Sequence, residues 1–404
     1  MRIIAKFILI ISIVFFSCTS STAGEKWTFM VYLDADNNLQ PFGMKDLNEM
    51  EKVGSSEDVN MVVLLDRNNK DSDDFMTDSG ETNDTSEALW DNTRLYYVKK
   101  GIDDKKIESE LIEDMPEQNM GDPKTLVSFV TKCVDKYPAD KYCLVLWNHG
   151  DGWRDRPAEI EKGICYDDSS AGDGLTMEEL KGALADCVKK MGKKLAVLEF
   201  DACLMAMAEV SSQIRDYCEF AAFSEKTEPG DGDPYDTILA ELKGSTDAKA
   251  FAVIIVDKYL ASYDKNVTKS AVDLSKLDTL EKAIDDFAVT LKDKMKVNAA
   301  VINESRNKVK AFEIDSYVDL MDLMKLFKEK ISDEVVAAKI TAVEKAQTEA
   351  VVKNGKMERA NGLSIWFPTT KSEFQAKPGY LALEFTQKTA WAEFLGTYYE
   401  NSPN

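Results

Sequence analysis

Histidine is almost missing from this chain: His149 is the only one in 404 residues. Imidazole acid-base chemistry near neutral pH therefore has one candidate. Cysteine is sparse as well. There are seven, and none forms a Cys-x-x-Cys pair, so with one histidine a structural zinc site is not expected and no metal ligand is assigned. Positive charge is in deficit, with 50 Lys plus Arg against 72 Asp plus Glu and a net charge of −22. A phosphate backbone would be repelled, which argues against nucleic acid as a partner, whereas basic peptides would be drawn in. No apolar run approaches the roughly 20 residues that a membrane-spanning helix needs. The longest, Phe7 to Phe16, is ten residues after a charged start at Arg2 and Lys6, the pattern of an export signal over 1–17.

Ser17-Cys18 directly after that run resembles a bacterial lipoprotein cleavage site, with Cys18 as the lipidated first residue; ordinary cleavage after Ala23 is the other reading. Either way the expected location is outside the cytoplasm, as a cell-envelope lipoprotein or a periplasmic or secreted protein. Membrane contact is expected only through the lipid anchor. Residues 18–25 read as a polar tether. The remaining cysteines, Cys133, Cys143, Cys165, Cys187, Cys203 and Cys218, read as buried apolar fillers rather than bridges, because a domain of this size needs no disulfides.

Two apolar runs organise the rest. Lys141 to Trp147 ends in Asn148-His149-Gly150, and Leu195 to Phe200 ends in Asp201-Ala202-Cys203. Each is too short for a helix and lacks helical period, so each reads as a strand buried on both faces of a parallel sheet. Ligands of such sheets bind at the carboxyl ends of strands, where His149 and Cys203 sit. The segment between the runs contains a helix expected from Thr176 to Met191, opened by Thr176-Met177-Glu178-Glu179. Strand, helix, strand is a right-handed crossover that makes the two strands parallel neighbours. A thiol and an imidazole brought together this way form a nucleophile and base pair. The plain alternative is a buried cysteine and a histidine satisfied at a strand end.

The stretches Asn148-His149-Gly150-Asp151-Gly152-Trp153 and Phe200-Asp201-Ala202-Cys203-Leu204-Met205 resemble the two signatures of clostripain-like cysteine peptidases, relatives of caspases, legumains and gingipains. The likeness extends through Trp27 to Leu39, Gly163 to Asp168 and Asn361 to Pro368. It implies an α/β fold, a mainly parallel caspase-like sheet between helical layers, with a catalytic core over 26–274. The C-terminal region 275–404 is expected to be largely helical, with a strand over 361–368 returning to the core. Helices are expected at about Leu39 to Val53, Asp122 to Tyr137, Leu204 to Asp216 and Thr246 to Asp264. Strands are expected over Lys26 to Leu33, Asn60 to Asp66, Glu219 to Ser224 and Val267 to Leu274, with an edge strand over Leu95 to Val98. Arg67 to Asp91 reads as a polar surface excursion.

The resemblance implies an endopeptidase in which Cys203 attacks and His149 shuttles the proton, with the Gly150 and Cys203 N–H groups holding the oxyanion. A helix starting right after Cys203 would favour its thiolate. Asp201 matches the family's acidic pocket position, which selects Arg or Lys. Asp231 is the expected second pocket carboxylate, with Asp233 competing. Self-cleavage is expected after Lys162, or at Arg154 or Arg156. No cofactor is required; calcium is the one option, at Asp71 to Asp74 or Asp167 to Asp173, although neither matches an EF-hand loop. The expected partners are proteins or peptides carrying Arg or Lys. Two other functions fit the same residues: a catalytically silent surface binding module, and a cysteine transpeptidase.

Overall fold

Alternation along the first strand, β1 (Trp27–Ala35), sets the layering: Met30 and Tyr32 enter one core, and Trp27, Phe29, Val31, Leu33 and Ala35 enter the other. A strand with no polar face can only lie between two layers. The computed structural model describes residues 26–67, 90–103, 106–153, 163–264, 266–376 and 378–401. The expected export signal, Cys18, the tether, most of the excursion after Arg67 including Asp71 to Asp74, and Arg154, Arg156 and Lys162 lie outside the described residues.

The other strands are β2 (Val59–Arg67), β3 (Thr93–Tyr97), β4 (Glu110–Met115), β5 (Lys141–Trp147), β6 (Ile164–Asp167), β7 (Asp173–Leu175), β8 (Leu195–Asp201), β9 (Cys218–Phe223), β10 (Thr268–Asp273), β11 (Tyr317–Asp319), β12 (Val351–Lys356) and β13 (Ser364–Trp366). Nine of them make one sheet in the order β12-β10-β9-β8-β5-β1-β2-β3-β4. Its middle, from β2 to β9, is parallel, and the outer strands on both sides are antiparallel. Helices α1 (Gln40–Val53), α2 (Pro123–Lys136), α3 (Met177–Met191), α4 (Ala208–Ile214), α5 (Tyr235–Glu241) and α6 (Ala248–Ser262) cover it. The layer of α1, α5 and α6 packs on one face, and α2, α3 and α4 on the other. The expected mainly parallel sheet between helical layers is what the chain forms.

Local chemistry sets most helix starts. Asp122 accepts the Lys124 N–H ahead of Pro123, and Thr176 with Glu179 forms a complete capping box. The C-terminal region adds α7 (Leu277–Asp293), α8 (Met295–Arg306), α9 (Leu320–Lys330), α10 (Glu334–Ala350), α11 (Lys371–Gln375), α12 (Glu384–Lys388) and α13 (Trp391–Asn401), which extend the α2, α3, α4 layer's core. Leu277, Leu280, Ile284, Phe287 and Leu291 make the buried stripe of α7.

Three expectations need adjustment. The strand expected at an edge, Leu95 to Val98, is the inner β3, flanked by the polar β4, whose exposed Glu110 and half-exposed charges suit an outermost strand. The segment 361–368 supplies only β13, which pairs with β11 in a small separate sheet and reaches the core by burying Ile365 and Trp366. The ninth strand of the main sheet is instead β12, a polar run at the far edge.

Candidate active site

Strands β5 and β8 run side by side and parallel, with Trp147 level with Asp201. His149 and Cys203 each come two residues later, so both leave the sheet at one height from adjacent strands, at the carboxyl ends. The two exits touch. The Asn148 N–H donates to the Asp201 carbonyl at 3.3 Å, and a Cβ added to Gly150 would lie 2.5 Å from the Cys203 carbonyl oxygen. Only glycine permits that approach. Gly150→Ala is therefore expected to push the histidine loop off Cys203, costing about 1–3 kcal/mol of stability. Steady-state kinetics and thermal melts check it, and unchanged values in both would refute the contact.

The histidine loop is held from three sides. The buried Asn148 side chain donates to the carbonyls of Asp34 at 2.8 Å and Tyr166 at 3.3 Å. His149 Nε2 lies 2.6 Å from Asn38 Oδ1, and its ring stacks on Tyr166 with centroids 6.2 Å apart. The C-terminal region grips the next residues. The Tyr317 hydroxyl donates to the Asp151 carbonyl at 2.6 Å, and Trp153 packs against Trp366 and Tyr380 at 4.9 and 4.8 Å. The late helical region thus fixes the loop that presents the imidazole.

Cys203 differs from its expected setting. No helix begins there: Leu204 takes φ +65°, and α4 starts only at Ala208. The intervening residues are drawn out by main-chain bonds from Leu204 to Lys226 at 3.1 Å and from Ala206 to Ser224 at 2.9 Å. The expected helix-terminus help for a thiolate is therefore absent. Cys203 Sγ accepts the Glu228 N–H at 3.3 Å. Burial pushes the thiol up to about 12; the Glu228 N–H opposes this, and the charges of Glu228, Asp201 and Glu313 add to it. Among the described residues, the main-chain N–H groups of Gly150 and Cys203 donate to no other main-chain carbonyl.

Beneath Cys203 lies a buried acidic floor. Asp201 accepts the Tyr235 hydroxyl at 2.8 Å and the Asp233 N–H at 3.3 Å. Gly232, at φ +56°, closes over it, since a Cβ there would stand 2.9 Å from both carboxylate oxygens. Burial and then Asp233 raise Asp201 to about 6, against the pull of Lys269 and the Tyr235 hydroxyl. Lys269 is wholly buried, with its Nζ 3.0 Å from Asp233, 3.1 Å from Glu228 and 3.6 Å from Glu199. Asp233 is thus spent on an internal lysine. Asp231 sits farther out, half-exposed, and pairs with Lys45 at 2.6 Å.

Sequence reading missed Asn38, Tyr166, Glu228 and Lys269. Only Lys269 left a signal, a lysine inside the apolar run Val267 to Leu274. The expected acidic loop from Asp167 to Asp173 does not act as one group: Asp173 accepts the Asn119 amide at 2.7 Å. Asp167 instead joins Asp36, Asp66 and Glu117, with one carboxylate oxygen of each within 4.8 Å of the others. An oxygen-only set of this kind suits a hard cation.

Comparison with known proteins agrees with this geometry. Clostripain from Hathewaya histolytica is 29% identical over 326 residues, covering 69% of this chain but only 59% of clostripain. A secreted C11 cysteine protease from Bacteroides thetaiotaomicron, solved with an irreversible peptide inhibitor, shares the fold at TM-score 0.67 and 20% identity, over 91% of this chain and 99% of that one. An inactive zymogen C11 protease from Parabacteroides distasonis matches equally at TM-score 0.67 and 20% identity, over 91% and 98%. Since the clostripain family model spans residues 31–398, from the first strand to the last helix, the chain belongs to the clostripain family.

Proposed function

We propose that the chain is an exported cysteine endopeptidase that cuts after Arg or Lys through His149 and Cys203. The observation that carries the reading is the shared height of these residues on β5 and β8, with Gly150 against the Cys203 carbonyl, above the buried Asp201. In the reaction the Cys203 thiol passes its proton to His149 as its sulfur attacks the peptide carbonyl. The tetrahedral oxyanion is met by the N–H groups of Gly150 and Cys203. The C–N bond breaks as His149 returns the proton to the leaving amine. Water, with its proton taken by His149, then hydrolyses the thioester and restores the thiol.

A thiol held near 12 rests protonated at neutral pH, so attack depends on proton transfer within the pair rather than on a standing thiolate. Asp201 supplies the charge that selects a basic side chain, while Lys45 competes for Asp231 at the rim. Asp201→Asn is expected to lower kcat/KM for an Arg reporter by about 100-fold while affecting a neutral reporter far less. The carboxylate attracts a cation only when ionised. In the parent, activity toward the Arg reporter should therefore fall as pH drops through about 6, and that selective limb should vanish in Asp201→Asn. Parallel pH profiles on the two reporters check both statements.

Self-cleavage after Lys162, or at Arg154 or Arg156, and lipidation at Cys18 complete the proposal. Intact mass and N-terminal analysis of the purified protein beside its Cys203→Ala form tests them, with a break in the parent alone expected. The neutral thiol favours one rival, a binding module that no longer turns over peptide. Covalent labelling of Cys203 by an arginyl chloromethyl ketone supports the peptidase; reversible binding without labelling supports the rival.

A further inference from the structure

Four carboxylates meet at the same edge of the sheet as His149 but outside the catalytic pair. Asp36 follows β1, Asp66 lies near the end of β2, Glu117 follows β4 and Asp167 closes β6. Asp36 and Asp66 are wholly buried, and neither oxygen of Asp36, nor Oδ2 of Asp66, has a hydrogen-bond partner. A buried carboxylate with both oxygens unanswered is costly, and like charges at this spacing add to the cost. The remaining oxygens are tied in place: Thr93 Oγ1 donates to Asp66 at 2.9 Å, and the Met120 and Ser170 N–H groups donate to Asp167 at 2.9 and 2.8 Å. Such outer contacts are what orient ligands toward an ion.

We propose that Asp36, Asp66, Glu117 and Asp167 bind a calcium ion, and that the bound ion holds Asn38 and Tyr166 in place against His149. Oxygen donors alone exclude soft and borderline metals as the preferred guest. Four carboxylates, able to bind through one oxygen or two, meet calcium's need for six to eight oxygens, whereas magnesium keeps its water shell and fits a crowded, buried set poorly. The coupling follows the chain. Two residues past Asp36 comes Asn38, whose Oδ1 meets His149 Nε2, and between them Asn37 donates to the Tyr166 carbonyl at 2.9 Å. The Asp168 N–H donates to the Asp36 carbonyl at 2.8 Å, and Asp167 adjoins Tyr166, on which the imidazole stacks. An ion joining Asp36 to Asp167 therefore clamps both residues that set the ring. Peptidase activity is not assumed.

The test uses the full, tag-free Cys203→Ala chain, stripped with chelator, so that self-cleavage plays no part. Calcium chloride is expected to raise Tm by about 5 °C at saturation. It should also shift the single imidazole Cε1–H resonance, since His149 is the only histidine. Asp36→Asn should lose both responses while its calcium-free Tm stays level or rises, because one repelling charge is gone. Glu117→Gln, at a partly exposed ligand, should weaken calcium binding at least tenfold and serves if Asp36→Asn fails to fold. A Tm indifferent to calcium up to about 10 mM, or a full calcium response in a folded variant, overturns the site. Equal responses to magnesium overturn the choice of ion, and binding that leaves the imidazole resonance unmoved overturns the coupling.

Discussion

Replacing Cys203 by alanine is expected to give a folded chain that no longer cleaves an Arg or Lys reporter, a loss of at least about 10,000-fold. The sulfur is half-buried and makes one main-chain contact of consequence, the bond from the Glu228 N–H. Its removal therefore changes stability by no more than about 1 kcal/mol. His149→Ala should cost nearly as much activity, because the thiol, held near 12, has no other described base positioned to take its proton. The double variant should then be no slower than either single one, since two residues acting as a unit cannot be lost twice. Active-site titration with the chloromethyl ketone separates this from misfolding: His149→Ala keeps the sulfur and should label slowly, while Cys203→Ala should not label at all. Cleavage by Cys203→Ala at a tenth of the parent rate would remove the nucleophile from the proposal.

What could be read early was chemistry carried by neighbours in sequence. Thr176 and Glu179 announce a helix start, the Leu277 to Leu291 stripe announces a buried face, and short apolar runs announce the strands that carry His149 and Cys203. What could not be read was set by contacts between distant segments. Leu204 to Met207 has ordinary helical composition, yet it is stretched by Lys226, Ser224 and, through the Ala206 carbonyl, Ser364. Local preference loses there because three main-chain bonds outweigh it. The four grouped carboxylates come from four strand ends with no common spacing, so they resemble surface acidity until the sheet order joins them. Asn38 is legible only as a turn residue before α1, although it touches the imidazole.

Lys269→Met should be the most destabilising single change in the site, at about 3–5 kcal/mol, because it strips the counter-ion from a buried acidic group while keeping the volume. Lys269 reaches Asp233, Glu228 and Glu199 and also donates to the Phe200 carbonyl at 3.2 Å. Burial alone would lower its pKa, but Asp233, Glu228 and Glu199 raise it well above the usual lysine value. Burial lifts Glu199 and Glu228 well above the usual carboxylate range, and acidic neighbours add to this against the pull of Lys269. The sign of the pH dependence follows. A carboxyl raised on folding contributes stability below its unfolded pKa and loses it as pH rises toward its folded one, and the lysine's compensation matters only where these groups ionise. The variant's deficit should therefore be small near pH 4.5 and grow toward pH 8, as denaturant melts at both values would record. Neutralising the partners, with Glu228→Gln and Asp233→Asn added to Lys269→Met, should recover much of the loss, since the cost lies in uncompensated charge rather than in packing. Glu228 also donates its N–H to Cys203, so the single variant should lose turnover along with stability. A deficit larger at pH 4.5 than at pH 8 would place the role of Lys269 in packing and not in charge.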